Sequence, residues 1–220
     1  MKPEIVVSQD GSHTLYLSNL NEHYHSTFGA ISESMHIFIR HGLQALNQNP
    51  VRLLEAGFGT GLNAWLTLIE GESAGRTIDY TGIEKFPLEM DTIRQLNYPA
   101  LLKKDDSVFL RLHEVEWERS HKLTPGFTLT KTRTDLQLFS TEQSFNLIYF
   151  DAFAPEIQPE LWSAELFERL GRMMIPGGIL VTYSAKGMVR RNLLHAGFQV
   201  AKHPGPAGKR EITVATYPTD

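Results

Sequence analysis

Cysteine is absent from all 220 residues of the sequence. Disulfides, thiolate zinc sites and cysteine nucleophiles are therefore excluded together. The sequence also lacks an apolar run of the roughly 18 residues that a membrane span needs, and its amino end has no signal-peptide pattern. These absences predict a cytoplasmic protein that does not contact a membrane. The length predicts one domain, with or without an N-terminal addition.

A large excess of charge is lacking too, since the formal net charge is −4. This balance argues against a general nucleic-acid coat, but affinity for phosphates follows a local basic patch rather than the total charge. Basic side chains do crowd the last fifth of the chain, where few acids accompany them in the sequence. We expect them to contact nucleic-acid phosphates, the alternative being an ordinary solvated face. They are Lys186, Arg190, Arg191, Lys202, Lys209 and Arg210.

A metal-binding motif is the third absence. Several histidines occur in the first 41 residues, but no His-Glu-x-x-His or carboxylate-spaced set accompanies them. His36 and His41 are five residues apart, a spacing that does not place two side chains on one face of an α-helix. We therefore predict no metal site, and we place Tyr24 and His25 in the polar lining of a substrate cleft.

What the sequence does contain is a glycine-rich turn between a short apolar strand and a helix. Glycines at positions 57, 59 and 61 allow positive φ angles and close approach of a ligand, and the following helix directs free N–H groups at the turn. Their spacing matches neither the dinucleotide fingerprint nor a P-loop. Glu55, just before the turn, would repel a pyrophosphate but could hold an ammonium group. S-adenosylmethionine carries such an ammonium and NAD does not.

Further acids end the neighbouring strands. Glu84 ends the second strand 23 residues after Gly61, close to the spacing at which the doubly wound fold places a ribose-binding acid. Phe86 follows and is placed to cover an adenine ring. Asp135 and Asp151 follow two later strands. Because ligands in open α/β sheets bind beyond the carboxyl ends of the strands, we expect all these acids to line one crevice.

Strand and helix patterns alternate from residue 51 onward. This alternation predicts an α/β fold with a mostly parallel sheet, to which a final strand-loop-strand segment adds one antiparallel strand at 211–217. We expect two parts, an N-terminal β-hairpin and helix extension (1–49) and a single unit (50–220) that carries the cleft. Residues 98–126 give no clear pattern.

With these motifs assembled, the chain resembles the class I S-adenosylmethionine-dependent methyltransferases. It is more closely similar to the methyltransferase domain of the bifunctional enzymes that complete 5-methylaminomethyl-2-thiouridine at the tRNA wobble position, the MnmC family, with its stand-alone MnmD versions. The resemblance covers nearly the whole chain. It rests on Asn21-Glu22-His23-Tyr24-His25-Ser26, Gly29 to Ser34, Glu55 to Asn63, Glu84-Lys85-Phe86-Pro87, Asp151-Ala152-Phe153-Ala154-Pro155 and Arg190-Arg191-Asn192-Leu193.

The resemblance implies a Rossmann-like, seven-stranded sheet with an antiparallel C-terminal strand, and it assigns roles to the motifs. Asp151 would lie beside the transferable methyl group and the substrate amine. The implied cofactor contacts are Glu55, Gly57, Gly59 and Gly61 for the methionine part of S-adenosylmethionine, Glu84 for the ribose and Asp135 for the adenine.

Two departures from the family pattern stand out. The bifunctional enzymes carry an FAD-dependent oxidase domain, and 220 residues leave no room for one. A separate upstream FAD oxidase is the corresponding expectation. Related domains also often have glycine where this chain has Ala152.

The resulting hypothesis is methyl transfer to the amine of 5-aminomethyl-2-thiouridine in tRNA. Asp151 would orient the amine and accept its proton, and Tyr24 or Phe153 would stack a splayed anticodon base. Aminopropyl transfer and nicotinamide-dependent oxidation are the enzymatic alternatives, the second disfavoured by the glycine spacing and Glu55. A tRNA-binding module with a vestigial cofactor cleft is the non-enzymatic one.

Overall fold

The three-dimensional structure is a computed structural model that describes residues 3–219. Residues 1, 2 and 220 lie outside the described residues. The structure therefore does not cover the first two residues of the predicted 1–49 extension or the last residue of the predicted 50–220 unit. No helix within 3–219 is both long enough and apolar enough to cross a membrane.

The first described element is a small antiparallel sheet, where the sequence predicts an N-terminal β-hairpin. Its strands pair in the order β1 (Glu4–Val7), β2 (His13–Leu17) and β3 (Glu22–His23). In the β1–β2 turn, the Asp10 carboxylate accepts hydrogen bonds from the backbone N–H and the hydroxyl of Ser32, at 2.9 and 2.8 Å. These two bonds fix the small sheet against the helix that follows.

That helix is α1 (Ala30–Ser34), which continues as a π-helix over Met35–Arg40 and is followed by a 3₁₀ turn over Leu43–Ala45. A π-helix closes i→i+5 hydrogen bonds, so residues five apart come onto one face. The rings of His36 and His41 accordingly lie 5.0 Å apart. The prediction that these two histidines point to different faces is wrong, because it assumed α-helical geometry.

The large sheet is the scaffold of the molecule. Its parallel strands are β4 (Val51–Ala56), β5 (Ile78–Ile83), β7 (Phe127–Thr132), β8 (Phe145–Phe150) and β9 (Met174–Thr182); β6 (Ser120–Thr124), β10 (Gln199–Pro204) and β11 (Glu211–Thr216) complete it. In the described part of the chain the order is β10-β11-β9-β8-β4-β5-β7-β6. β11 runs antiparallel to both of its neighbours, and β6 pairs antiparallel with β7.

This arrangement confirms the predicted class I methyltransferase fold, with one strand more than the seven expected. The additional strand is β6, which forms a hairpin with β7 inside the stretch that the sequence pattern left unassigned. In β6 only Leu123 is buried, so the strand lacks the apolar run by which the buried strands are recognised.

Helices cover both faces of the large sheet. They are α2 (Leu62–Ser73), α3 (Met90–Ile93), α4 (Tyr98–Leu101), α5 (Ser107–Glu114), a 3₁₀ turn (Pro159–Trp162), α6 (Ala164–Arg172) and α7 (Gly187–His195). Successive residues of β4 point to opposite faces, so Leu53 joins the core beneath α2 and α5 while Leu54 joins the core beneath α6 and α7. Burial on both faces leaves the carboxyl edge of the strands free to carry a site.

Candidate active site

A large cleft opens at the carboxyl ends of β4, β5 and β8. Its volume is about 1420 Å³, above the roughly 300–1,000 Å³ of an ordinary small-molecule pocket. The cleft therefore has room for a cofactor and for part of a larger substrate. Among the sequence-predicted site residues, those that line it are Tyr24, Gly57, Gly59, Glu84, Phe86, Asp151, Phe153 and Lys209.

The floor of the cleft is the glycine turn. The φ angles of Gly57, Gly59 and Gly61 are 93°, 48° and 70°, values that side chains disfavour. Gly57 and Gly59 face the cleft. Gly61 is instead the N-cap of α2, where a Cβ would lie 2.6 Å from Nε2 of His113. Its role is to start the helix and to admit the His113 ring.

Replacing Gly57 with alanine should damage both the fold and cofactor binding. A Cβ at this position would lie 2.7 Å from the backbone carbonyl oxygen of Asp151, which cannot rotate away. A matched control is Gly75→Ala, since Gly75 also has a positive φ, 64°, but its Cβ would meet no atom within 4 Å. Both variants pay about 1–2 kcal/mol of backbone strain, and Gly57→Ala adds about 1–3 kcal/mol for the overpacking.

Urea unfolding and calorimetric titration with S-adenosylmethionine measure the two effects. Gly75→Ala should lose stability with its affinity for the cofactor retained, whereas Gly57→Ala should lose more stability and also affinity. Equal behaviour of the two variants would contradict a close approach between the glycine turn and the segment after β8.

Glu84 ties the glycine turn to the end of β5. Its Oε2 accepts a hydrogen bond from the backbone N–H of Gly59 at 3.0 Å, and its Oε1 accepts one from the backbone N–H of Phe86 at 2.8 Å. Phe86 stands at the cleft mouth with 69% of its surface exposed. The acid and the ring are thus held at one side of the turn, with a flat apolar face open to a ligand.

Asn63 joins two carboxylates at the other side of the turn. Its Nδ2 donates to Oε1 of Glu55 at 2.9 Å and to Oδ2 of Asp151 at 2.8 Å. Glu55 is buried behind Asn63 and does not line the cleft, and burial raises the pKa of its carboxyl well above the usual value. The structure places Asn63, rather than Glu55, on the cleft surface, and a contact of Glu55 with an ammonium stays a prediction.

Oδ1 of Asn63 is buried and has no hydrogen-bond partner within residues 3–219. Since Asn63 lines the cleft, this acceptor fits an ammonium donor such as that of S-adenosylmethionine. The glycine turn, the Asn63 acceptor and the Glu84 carboxylate are together a donor and acceptor set that matches that cofactor.

Asp151 lies where β8 ends, and its backbone N–H donates to the carbonyl oxygen of Ala56 at 3.0 Å. Burial raises the pKa of the Asp151 carboxyl to about 7, with the charge of Glu33 acting in the same direction. The hydrogen bond from Asn63 and the positive charge of Lys209 act against that rise. A carboxyl with this pKa exchanges a proton near neutral pH, as a general base must.

An aromatic wall rises above the glycine turn. Tyr24 and Phe153 meet edge to face with ring centroids 5.2 Å apart, and the Tyr24 ring covers Gly59. Beside them, a ring nitrogen of His25 lies 2.8 Å from the Thr60 hydroxyl. Burial lowers the pKa of His25 to about 4, so its ring is neutral at physiological pH. The predicted placement of Tyr24 and His25 in the cleft lining agrees with these positions.

Asp135 does not join this set. Its Oδ2 pairs with Nζ of Lys85 at 2.8 Å, and its Oδ1 accepts the backbone N–H of Gln137. The cleft is lined by the apolar side chain of Leu136 instead. The expectation that Asp135 shares the crevice with the other acids is therefore corrected, because a neighbouring lysine holds its carboxylate outside.

The basic patch is also less free than the sequence suggests. Lys186 pairs with Glu156, Lys202 with Glu211 at 2.7 Å, and Lys209 with Glu33 at 2.9 Å. Glu156 and Glu33 come from distant parts of the chain, which is why the last fifth of the sequence looks short of acids. Arg191 and Arg210 are exposed and Arg190 is half-buried.

Sequence reasoning gave no role to three side chains that the fold brings into the cleft: Glu33, Asn63 and Tyr183. A signal existed for Asn63, because it follows the glycine turn directly and so stands on the first turn of α2. Glu33 and Tyr183 lie on α1 and just after β9, and no local pattern links either of them to the glycine turn.

Known proteins resemble this chain in sequence. Residues 113–218 match the model of a family described as an S-adenosyl-L-methionine-dependent methyltransferase. The tRNA 5-methylaminomethyl-2-thiouridine biosynthesis bifunctional protein MnmC of Pseudoalteromonas atlantica is 29% identical over 95% of this chain and 32% of its own length. The MnmC protein of Chromobacterium violaceum is 33% identical, over 89% and 32%. The chain thus spans about a third of the length of these curated relatives.

Solved structures agree. The crystal structure of MnmC2 from Aquifex aeolicus has a TM-score of 0.80 and 27% identity over 99% of this chain and 71% of that one. A methyltransferase from Pyrococcus furiosus has a TM-score of 0.53 at 16% identity, over 92% and 91% of the two chains, and shows the same fold.

The sheet order, the glycine turn and the family match define the class of protein. The chain has the fold of the class I methyltransferases, and residues 113–218 match a family described as S-adenosyl-L-methionine-dependent, which confirms the predicted cofactor. Within that class the chain is similar, along nearly its whole length, to part of the MnmC proteins and to MnmC2. The resemblance predicted from the sequence motifs is therefore confirmed as well.

Proposed function

We propose that this protein transfers a methyl group from S-adenosylmethionine to the primary amine of 5-aminomethyl-2-thiouridine at the tRNA wobble position. The observation that carries the proposal is Asp151, a cleft carboxyl with a pKa of about 7 that Asn63 holds beside the glycine turn. The names of the MnmC relatives supply the nucleoside. The family match favours methyl transfer over aminopropyl or hydride transfer.

The residues that would hold the cofactor surround the glycine turn. Gly57 and Gly59 leave space for the methionine part, Asn63 accepts from its ammonium with Glu55 behind, Glu84 binds the ribose and Phe86 covers the adenine. The bound cofactor supplies a methyl group already activated by the sulfonium charge. The protein therefore has to provide position more than acid–base power, and positioning can contribute several kcal/mol.

The protein's own part in the reaction is to prepare the amine. An alkylammonium has no lone pair, so the amine must lose a proton before it can attack. Asp151 orients the amine by a hydrogen bond and accepts that proton, while Asn63 keeps the carboxylate in place. Tyr24 and Phe153 provide stacking faces for the unpaired base.

The proposed role also implies how the protein binds tRNA and what supplies its substrate. Arg190, Arg191 and Arg210 would contact the tRNA phosphates, which makes binding dependent on salt. In the same proposal the protein is cytoplasmic, a separate FAD oxidase supplies the aminomethyl group, and residues 1–49 form an extension to the 50–220 unit.

The test is incubation with tRNA that carries the unmethylated aminomethyl nucleoside, using isotope-labelled S-adenosylmethionine and nucleoside mass spectrometry. One labelled methyl group should appear on the wobble nucleoside and on no other. Calorimetry with decarboxylated S-adenosylmethionine and with NADH tests the two alternatives, and neither should bind as tightly as S-adenosylmethionine. Label on a different nucleoside would overturn the assigned substrate.

A further inference from the structure

A charged pair lines the cleft. Glu33, on α1, and Lys209, in the loop between β10 and β11, lie 2.9 Å apart at Oε1 and Nζ. Glu33 is buried, with 9% of its surface exposed, and its Oε2 accepts the backbone N–H of Ser26 at 2.9 Å. One carboxylate oxygen is thus anchored to the backbone while the other faces the lysine.

This pair is joined to the segment that carries Asp151. Nζ of Lys209 lies 5.0 Å from the centroid of the Tyr183 ring, and the Tyr183 hydroxyl donates to the carbonyl oxygen of Ala152 at 2.8 Å. Ala152 is the residue after Asp151. The residues that line this part of the cleft are Glu33, Asp151, Ala152, Tyr183 and Lys209.

The charges that act on Asp151 come from several elements. Glu33 acts from α1 and Lys209 from the loop between β10 and β11. Glu55 acts from behind Asn63, and the Tyr183 phenol acts from the end of β9. Burial keeps the pKa of the Glu55 carboxyl and of the Tyr183 phenol above their usual values, so both groups are held towards their neutral forms. Glu33 and Lys209 are therefore the charged neighbours left to adjust Asp151.

We propose that Glu33 and Lys209 are positioning residues for Asp151, a charge pair that sets how readily this carboxylate takes the proton of the substrate amine. The proposal rests on the proposed function in one respect, that Asp151 is the proton acceptor. The negative charge of Glu33 opposes ionisation of Asp151 and so makes it a stronger base. Lys209 works in the opposite direction and preserves an ionised fraction at neutral pH.

The two members of the pair have opposite charges, so together they add no net charge to the cleft that the substrate amine enters. Removing the charge of Glu33 should make Asp151 easier to ionise, and removing that of Lys209 should make it harder to ionise. Removing both should offset the two effects.

The experiment is an NMR titration of the Asp151 side-chain carboxyl carbon in ¹³C-aspartate-labelled protein, with the resonance assigned by its loss in Asp151→Asn. The variants are Glu33→Gln, Lys209→Met and the double variant. Glu33→Gln keeps an oxygen for the Ser26 N–H, which preserves the local structure. We expect the midpoint to fall by about one pH unit in Glu33→Gln and to rise by a similar amount in Lys209→Met. The double variant should lie between the two.

This titration needs no tRNA, so its outcome is independent of the proposed substrate. A midpoint unchanged in Glu33→Gln, or moved in the same direction by both single variants, would overturn the proposal. Where methyl transfer is measured, the acid limb of its pH profile should move with the NMR midpoint. A purely structural role for Glu33 would instead lower the rate at every pH and leave the limb in place.

Discussion

Replacing Asp151 with asparagine is expected to lower kcat for methyl transfer by about 10²–10⁴-fold, the usual contribution of a general base. The amide keeps the size of the side chain but cannot accept the proton of the amine. Because the cofactor contacts come from other residues, the Kd of S-adenosylmethionine should stay nearly unchanged. Single-turnover assays with labelled cofactor measure the first quantity, and calorimetric titration measures the second. Equal losses in both would show that Asp151 is a cofactor contact rather than a base.

The pH dependence of stability provides a control for the same substitution. The pKa of Asp151 rises from the ordinary 3.8 to about 7 on folding, so the folded state binds a proton that the unfolded state has lost between these values. The contribution of Asp151 to wild-type stability therefore falls as pH rises from about 4 to about 7, by up to a few kcal/mol. The buried His25 and His113 have lowered pKa values and contribute with the opposite sign, so the difference between wild type and Asp151→Asn isolates the contribution of Asp151. Asp151→Asn escapes this loss and should be the more stable protein at pH 8. Wild-type activity should decline below about pH 7, where the carboxylate is protonated.

Replacing Glu84 with alanine is expected to raise the Kd of S-adenosylmethionine by about 10–100-fold, because hydrogen bonds to a charged group contribute about 1.5–3 kcal/mol. In the structure its two oxygens accept the backbone N–H groups of Gly59 and Phe86. The variant therefore loses both the proposed ribose contact and the brace of the turn. At saturating cofactor the rate should recover most of its wild-type value. Calorimetric titration and the dependence of rate on cofactor concentration measure both effects.

A matched control removes a second carboxylate from the same cleft. Glu89 lines the cleft and is exposed, and it precedes α3 without a side-chain capping bond. Glu89→Ala makes the same change of charge and should bind the cofactor almost as wild type does. Similar weakening in both variants would indicate a general effect of charge, and the ribose contact assigned to Glu84 would then be wrong.

Much of this site could be predicted because its signals are local. The strand before the glycine turn, the turn itself and the strands that end in Glu84 and Asp151 each occupy a short, continuous stretch. Parallel strands bring their carboxyl ends to one edge, so a chain that alternates strand and helix places these acids together without further information. Local periodicity and topology sufficed to predict where the cleft lies.

Features that depend on long-range contacts or unusual local geometry could not be predicted in this way. The partners of Lys186 and Lys209 are carboxylates far away in sequence, so counting nearby acids overestimated the free positive charge. Asp135 has the right position at a strand end, yet its ion pair with Lys85 holds it outside. The π-helix places His36 beside His41, whereas the geometry of an α-helix would place residues five apart on different faces.

Residues 98–126 show a different limit. The helices α4 and α5 and the strand β6 that form this stretch are short, and β6 is half-exposed. Short elements with mixed burial carry too few periodic positions to be recognised by pattern. The helix that follows Pro87 is also short, Met90–Ile93, and this segment contributes Asp91 and Thr92 to the cleft lining.

The ion pair between Glu33 and Lys209 joins residues from opposite ends of the chain. Closing so long a loop costs entropy that is regained only when the intervening structure is in place. During synthesis on the ribosome, Lys209 also leaves the exit tunnel after every strand except β11. The glycine turn and the strands around it can therefore fold first. The part of the cleft that contains the Glu33–Lys209 pair forms as one of the last events of folding.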